Sequence, residues 1–206
     1  MLFVWLLACS DHDRELSFPS VLEPLEEVNQ APERDPDQGE GFNVVSGEDD
    51  DWFWAHGRGL VRTDSTDTWE AMRTPLVHID RRWIDSWDIA DDVEPDFTDS
   101  FRIANTMNMF ITLTWEVVYV FEVQEGLDAA PDRAVAMWDL SHAPDSLEVL
   151  RGSAILSAVD EEWTEVELIY HLKVPMQGVE ACDQLVKDIG EDWVDTAHGR
   201  TLVEYD

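Results

Sequence analysis

The sequence predicts an α+β fold in which a curved antiparallel sheet wraps around a long C-terminal helix, with two short helices after the first strand. Every second residue from Ile111 to Val123 is apolar, which is typical of a long strand with one buried face. From Val179 to Trp193 apolar residues instead recur every three or four positions, as on an amphipathic helix. Because that helix has to bury its apolar stripe, we expect it to pack on the buried face of the sheet.

The first elements of the domain follow Trp52, where the composition becomes rich in aromatic residues. The run "WFWAHGRGLVRTD" predicts a first strand that ends near Thr63. Asp67 and Glu70 lie three positions apart, as in a capping box, and predict the start of a short helix. The segment "PLVHIDRRWIDSW" has apolar residues at helical spacing and predicts a second helix.

Four further segments predict strands: "MFITLTWEVVYVFEV", "RAVAMWDLS", "LEVLRGSAILSAV" and "WTEVELIYHLKV". On the longest of them the face opposite the apolar one carries Thr112, Thr114 and Glu122. We therefore expect this outer face of the sheet to be largely exposed to water. In the C-terminal helix, Gly190 is expected to cause an interruption and Gly199 to mark the end.

This order of elements resembles the START-like superfamily, also called SRPBCC or helix-grip, over roughly residues 52–200. The segments "DSTDTWEAMRTP" and "TEVELIYHLKV" are similar to the family's strand-to-helix entry and to its last strand. The resemblance implies a hydrophobic cavity between the sheet and the terminal helix, which in the family holds lipids, sterols or polyketides. The residues expected to line that cavity are Trp115, Val117, Tyr119, Phe121, Leu168, Tyr170, Leu172, Val186 and Ile189.

An alternative interpretation of these nine residues is an ordinary core, because a filled cavity has the same sequence pattern. If the cavity is open, it needs few polar groups to orient a ligand. Tyr170 and His171 are the candidates for such a group.

The N-terminal run "MLFVWLLACS" contains seven apolar residues, which is too short to cross a bilayer. It matches the short apolar region of a secretory signal peptide, with the small Ala8 at the end; a buried strand is the alternative. The residues "LLAC" resemble the lipobox of bacterial lipoproteins, which implies cleavage before Cys9 and a lipid on its thiol. Since Ser10 follows in place of the Asp that retains enteric lipoproteins in the inner membrane, the resemblance implies a lipid-anchored protein of the bacterial cell envelope, in the outer membrane and facing the periplasm.

Three parts of the chain are predicted: a lipoprotein signal peptide at 1–8, an acidic disordered tether at 9–42, and the START-like domain at 43–206. The tether prediction depends on the segment "VLEPLEEVNQAPERDPDQGEG", which has three prolines, many carboxylates and no aromatic residue. Such a composition buries little apolar surface and does not offset the loss of chain entropy on folding.

Charge and motifs limit the function further. With 46 acidic and 13 basic residues the formal net charge is −33, which disfavours nucleic acid as a partner because phosphate binding depends on Lys and Arg. The six histidines lack the spacings of zinc sites, and no phosphate-binding loop or nucleophile elbow is present. We expect no catalytic residue, no metal and no cofactor. Cys182 is expected to be a small buried apolar residue, and the Asp80, Arg81, Arg82 cluster a solvated helix face.

The sequence thus favours a binding protein that is not an enzyme: an envelope lipoprotein that holds a hydrophobic small molecule or lipid between sheet and helix, and that is attached to the membrane by its lipid anchor. One alternative is a structural or interaction module with a filled core. Another is an enzyme similar to the cyclases or dehydrases of the same superfamily.

Overall fold

The computed structural model describes residues 11–27, 29–49, 52–108, 111–174 and 178–202. Within these ranges the chain forms nine strands, two α-helices and two short 3₁₀ turns, at Pro36–Gln38 and Pro75–His78. The strands and helices are β1 (Asp11–Asp13), β2 (Gly41–Glu48), β3 (Phe53–Val61), α1 (Ser65–Met72), β4 (Ser86–Asp91), β5 (Asp99–Asn108), β6 (Thr112–Leu127), β7 (Ala130–Pro144), β8 (Val149–Ala158), β9 (Thr164–Lys173) and α2 (Val179–Ala197).

All strands belong to one antiparallel sheet in the order β2-β3-β9-β8-β7-β6-β5-β4. The short β1 pairs with the end of β7, beyond the part of β7 that pairs with β8. The β6–β7 pair contains register shifts after Glu116 and after Val123, and such bulges increase the local twist of a sheet. α2 packs mainly on β2 and β3, while α1 contacts both α2 and β7. The predicted fold class is therefore confirmed.

Of the two short helices that were predicted after the strand that is β3 in the structure, only the first is an α-helix. α1 begins after Asp64, whose carboxylate accepts hydrogen bonds from the backbone N–H groups of Thr66 and Asp67, so Asp67 lies inside the helix and not at its cap. The second helix is only the 3₁₀ turn Pro75–His78, because the chain becomes extended at Ile79 and then forms β4 at the edge of the sheet.

The C-terminal helix is continuous, so the predicted interruption at Gly190 is wrong. Glycine is required there for another reason: a Cβ at this position would lie 2.7 Å from the ring of Phe42. Gly199, with a φ of 65°, ends the helix as expected. Among the residues that the structure describes, no helix has the length and apolar character needed to cross a membrane.

The outer face of the sheet is partly covered by residues 14–27 and 29–35, which we call the crossing segment. Its Leu22 is fully buried and forms a second apolar cluster with Val118, Val120 and Val135. The Leu22 N–H donates to a carboxylate oxygen of Glu122 at 2.7 Å. The expectation of a largely wet outer face therefore holds only in part.

Farther along, the crossing segment passes over β8, β9 and β3. The Leu25 N–H donates to Ser153 Oγ at 2.8 Å, and the Ala31 N–H donates to His56 Nδ1 at 3.1 Å. These contacts were not foreseen from the acidic, proline-rich composition. The interpretation of 9–42 as a tether that folding does not require stays a prediction, and the predicted signal peptide with Cys9 lies outside the described residues.

Candidate functional site

The nine residues that were predicted to line a cavity all lie in one apolar cluster on the inner face of the sheet, which α1, the 3₁₀ turn Pro75–His78 and α2 cover. Eight of them are buried, and Trp115 is half-buried at the edge of the cluster. The alternating strand pattern placed β6 and β9 correctly because both strands have their inner faces against the helices. Whether these residues bind a ligand stays a prediction.

An aromatic group occupies the middle of this cluster, and His78 from the 3₁₀ turn lies at its centre. Its imidazole is 4.6 Å from the ring of Tyr119, measured between ring centroids. The other rings within 6.3 Å of it belong to Phe101, Phe121, Trp138 and Trp193. Sheet, turn and α2 thus meet at this one imidazole.

The protonation state of His78 follows from its surroundings. Nε2 lies 2.7 Å from the carbonyl oxygen of Met72. Because a carbonyl oxygen only accepts hydrogen bonds, Nε2 carries the proton and Nδ1 keeps a lone pair. Burial lowers the pKa of His78 to about 4, so the ring is neutral at pH 7.

Three polar atoms of the aromatic group have no hydrogen-bond partner among the described residues: Nδ1 of His78, Nε1 of Trp138 and Nε1 of Trp193. The residues are 5, 1 and 1 % exposed, respectively. Buried polar groups in proteins are nearly always paired, and an unpaired one costs roughly 1–3 kcal/mol. Two donors and one acceptor therefore remain available in the middle of an apolar cluster.

Two tyrosines supply further polar groups on the inner face. The hydroxyl groups of Tyr119 and Tyr170 interact with each other, and burial raises the pKa of both above the ordinary value. Both side chains therefore stay neutral phenols at physiological pH. Of the two polar candidates from the sequence, Tyr170 lies on the inner face, whereas His171 lies on the outer face, where it stacks on Trp52 and pairs with Glu27.

A charged rim lies beside the aromatic group, between the loop after the 3₁₀ turn and α2. Arg81 pairs with Asp192 at 2.8 Å, and Arg82 pairs with Asp188 at 3.0 Å. Both aspartates are buried. Asp80 and Arg81 are half-buried and Arg82 is exposed, and residues 81–83 form a turn, so the expectation of a solvated helix face holds only for the exposure of Arg82. Burial is also the main cause that raises the pKa of the nearby Asp80 carboxyl. The rim holds three carboxyl groups and two guanidinium groups, and both guanidinium groups are already paired.

Two surface pockets lie away from the predicted cavity. One of about 310 Å³ is bounded by Phe42, Lys187 and Arg200, and another of about 210 Å³ is bounded by Arg58 and Glu165 on the outer face. None of the nine predicted residues lines either pocket. No cluster of potential metal-binding side chains is present among the described residues.

Cys182 is buried in α2, as expected for a small apolar residue. Its thiol faces the backbone carbonyl group of Tyr170 at 3.7 Å. Burial raises the pKa of the thiol to about 12, which keeps it protonated at pH 7.

Comparison with solved structures identifies the architecture. Human StAR-related lipid transfer protein 5 is similar with a TM-score of 0.53 and 10% identity, over 78% of this chain and 84% of that protein. Human STARD10 is similar with a TM-score of 0.51 and 5% identity, over 77% of this chain and 69% of that protein. The chain has the helix-grip fold. No protein-family model matches the sequence, and no significantly similar curated protein is found.

Four members of the central aromatic group were not among the predicted residues of the helix-grip cavity: His78, Phe101, Trp138 and Trp193. Trp138 could have been found, because Ala134, Ala136 and Trp138 alternate on β7. Trp193 is on the predicted stripe of α2, and only its depth in the interface was unknown. No sequence signal points to His78, since its position depends on a 3₁₀ turn that the sequence pattern presents as a helix.

Proposed function

We propose that this chain is a binding protein that takes up a hydrophobic small molecule or lipid between the sheet and α2, and that it has no catalytic role. The observation that carries the proposal is the interface itself: an apolar cluster that is rich in aromatic rings and contains buried, unpaired polar atoms. Sites for small apolar ligands have this composition, with apolar walls and a few polar groups that fix orientation. The similar human protein with the helix-grip fold is by its name a lipid transfer protein.

We further propose that a lipid on Cys9 anchors the protein in the bacterial cell envelope, in the outer membrane. Metabolic labelling with palmitate in a bacterial host tests the anchor. We expect Cys9→Ala to lose the label and Cys182→Ala, which changes the other cysteine of the chain, to keep it. Label that remains after Cys9→Ala would contradict the proposal, and membrane fractionation of the labelled protein tests the location.

A second candidate function is a structural or interaction module with a filled core, and close packing at two places favours it. A Cβ at Gly57 would lie 2.8 Å from Cγ1 of Val186, and a Cβ at Gly152 would lie 2.2 Å from Cζ2 of Trp138. Glycine at these positions lets α2 and an indole ring lie directly on the strands. In this case the outer surface, and not the interface, would serve as the functional contact.

Two measurements separate the candidates. Solvent extraction of the protein purified from its own host, followed by mass spectrometry, should release a lipid or another apolar molecule. Binding of an apolar fluorophore is then compared in the native chain, in Val186→Trp, which adds bulk at the interface, and in Val159→Trp, which adds the same bulk at an exposed site.

The carrier proposal expects Val186→Trp to weaken fluorophore binding at least tenfold and Val159→Trp to leave binding unchanged. A filled core predicts instead that the native chain binds no fluorophore. Val186→Trp would then cost about 1–3 kcal/mol through overpacking. That combination would end the carrier proposal in favour of the interaction module.

A further inference from the structure

We propose that the distal part of the crossing segment, residues 25–27 and 29–35, leaves the sheet when His56 and His171 become protonated, while the proximal part around Leu22 stays in place. The crossing segment would then be a cover of which one half opens in mild acid and exposes the outer face of β3, β8 and β9. This inference depends neither on the proposed ligand nor on the proposed lipid anchor.

The histidines of the chain are concentrated where its N-terminal part meets the rest of the domain. Five of the six belong to residues 11–40 or contact them, and the sixth is His78. The five contacts are His12 with Asp145, His142 with Asp13, His56 with the Ala31 N–H, His171 with Glu27, and His198 with Glu40. Imidazole is the side chain that ordinarily changes its charge near neutral pH. A fall in pH therefore acts directly on the contacts of this region.

His56 is fully buried beneath the crossing segment and has to be neutral to hold it. Its Nδ1 accepts a hydrogen bond from the Ala31 N–H at 3.1 Å, so this nitrogen keeps its lone pair. The proton is then on Nε2, which lies 2.9 Å from Oε1 of Glu167 on β9. A second proton on Nδ1 would place two donors against each other. The contact with the crossing segment would break.

The charges near His56 oppose one another. The charged groups in this part of the outer face are Glu167, Arg58, Arg133, Glu165 and Glu33. Glu167 favours a charged imidazole, and the guanidinium groups of Arg58 and Arg133 beside that carboxylate offset part of its effect. The hydrogen bond from Ala31 decides the direction of the pH dependence, because it forms only with the neutral ring.

His171 is also buried, and its ring is arranged in the same way. Nε2 contacts a carboxylate oxygen of Glu27 in the crossing segment, and Nδ1 accepts from Nε of Arg151 on β8 at 3.4 Å. Trp52 stacks on the ring, with the centroids 5.5 Å apart. A proton on Nδ1 would therefore face a guanidinium group, and the ring that positions Glu27 would have to move.

The charges around His171 give the sign of its pH dependence. Burial is the largest cause that lowers the pKa of His171 below its ordinary value of 6.5, and Arg151 acts in the same direction. Glu27 and Asp49 act in the opposite direction without reversing the shift. Because the pKa is lowered in the docked state, the contribution of this ring to docking is full above about pH 6.5 and is lost as the pH falls.

The proximal part of the crossing segment is held by contacts that acid does not weaken. Leu22 is buried in an apolar cluster, and apolar contacts carry no charge that titrates. Next to it along the chain, His142 contacts the Asp13 carboxylate of β1 at 3.0 Å, and protonation turns this contact into an ion pair. Acid should therefore strengthen the attachment at β1 and weaken it from Leu25 onward.

Amide hydrogen exchange of the ¹⁵N-labelled chain tests the inference, with each rate divided into the intrinsic rate at the same pH. Between about pH 7.5 and about pH 5.5, the protection of the Leu25 and Ala31 amides should fall at least tenfold. The protection of Leu22 and of Val186 in α2 should change less than threefold. Unchanged or increased protection of Ala31 in acid would overturn the inference, as would a lack of protection at both pH values. An equal loss at Val186 would also overturn it, because the whole domain would then be unfolding.

Variants identify the two rings. His56→Asn supplies an oxygen acceptor in place of Nδ1, and His171→Gln supplies an amide donor for Glu27. Neither side chain titrates, so the chain with both changes should show less than threefold loss of Ala31 protection over the same pH range. His12→Gln, at an exposed site, should keep the full loss. A tenfold loss that persists in the double variant would contradict the assignment of the switch to these rings.

A measurement on the native chain does not depend on the folding of variants. The ¹⁵N shifts of the imidazole nitrogens should show Nδ1 without a proton and Nε2 with one, in both His56 and His171, at about pH 7.5. Both rings should gain the second proton over the pH range in which the Ala31 amide loses its protection. Loss of that protection while both rings stay neutral would overturn the inference.

Discussion

The two faces of the sheet are covered in different ways. On the inner face, α2 contributes a continuous apolar stripe that packs on aromatic side chains, with Trp193 among the most deeply buried. On the outer face, the crossing segment contributes the fully buried Leu22 and Ala31 and the partly buried Leu16 and Phe18. Its backbone also makes hydrogen bonds with side chains of the sheet. Because burial of apolar area contributes more to stability than exchange of hydrogen bonds with water, the inner cover should dominate the free energy of unfolding.

The largest expected effect is on the inner face. Trp193→Ala should lower the free energy of unfolding by about 3–5 kcal/mol, because a fully buried indole is removed and a cavity remains. Denaturation in urea measures the loss. Trp87→Ala makes the same change where the side chain is 40% exposed and should cost less than about 1 kcal/mol. Equal losses in the two variants would show that α2 does not dominate the stability of the domain.

The next effect concerns pH and His78. The pKa of His78 in the folded state is about 4, against an ordinary value of 6.5. Between these two pH values the imidazole is therefore protonated in the unfolded chain and neutral in the folded chain. Stability from this residue is therefore full above pH 6.5 and is lost as the pH falls toward 4. The free energy of unfolding of the native chain relative to His78→Phe should fall by about 3 kcal/mol over this range. A difference that is independent of pH would show that the imidazole is solvated.

A smaller effect is expected on the outer face. Leu22→Ala should lower the free energy of unfolding by about 2 kcal/mol if the crossing segment is docked as the structure describes. Val21→Ala, one position earlier and 58% exposed, serves as the control and should have almost no effect. If both variants and a chain without residues 9–42 unfold like the native protein, the tether interpretation is correct and the outer face has no stable cover.

The smallest effect comes from charge, which acts on both faces together. A formal net charge of −33 causes repulsion within the folded chain, and salt screens it. Raising NaCl from 0.05 to 1 M, as conditions chosen for the test, should stabilise the fold by about 1 kcal/mol, which corresponds to about 2–4 °C in Tm. Sucrose, which has no charge, serves as the control. A Tm that is insensitive to salt would show that the ion pairs of the described residues already balance this repulsion.

Periodic segments were predictable from the sequence and irregular ones were not. β6, β9 and α2 were placed correctly because each of them buries one continuous face. The regular spacing of apolar residues in a sequence indicates such a face. The segment after Pro75 has helical spacing, but it forms a 3₁₀ turn and an edge strand because pairing with β5 determines its conformation. Local spacing has no information about a partner that is distant in sequence.

In the candidate site, too, the residues on periodic segments were predictable and those on irregular segments were not. The apolar residues on β6 and β9 could be assigned to the interface from alternation alone. His78 could not, since its burial results from the meeting of a turn, the sheet and α2 around one ring. The contacts of Leu22 were also not predictable, because one buried leucine in an acidic, proline-rich stretch has no period.

The pairing of β1 with β7 determines how close the domain would lie to a membrane. Asp11 lies only two residues after Cys9, and its backbone pairs with that of Pro144. Two residues of extended chain reach about 7 Å, whereas a flexible linker of 33 residues would have a root-mean-square span of about 30 Å. With the proposed lipid on Cys9, the end of β7 near Pro144 would therefore lie close to the lipid headgroups. The domain would stay at the bilayer surface, whereas a linker of that length would let it move away.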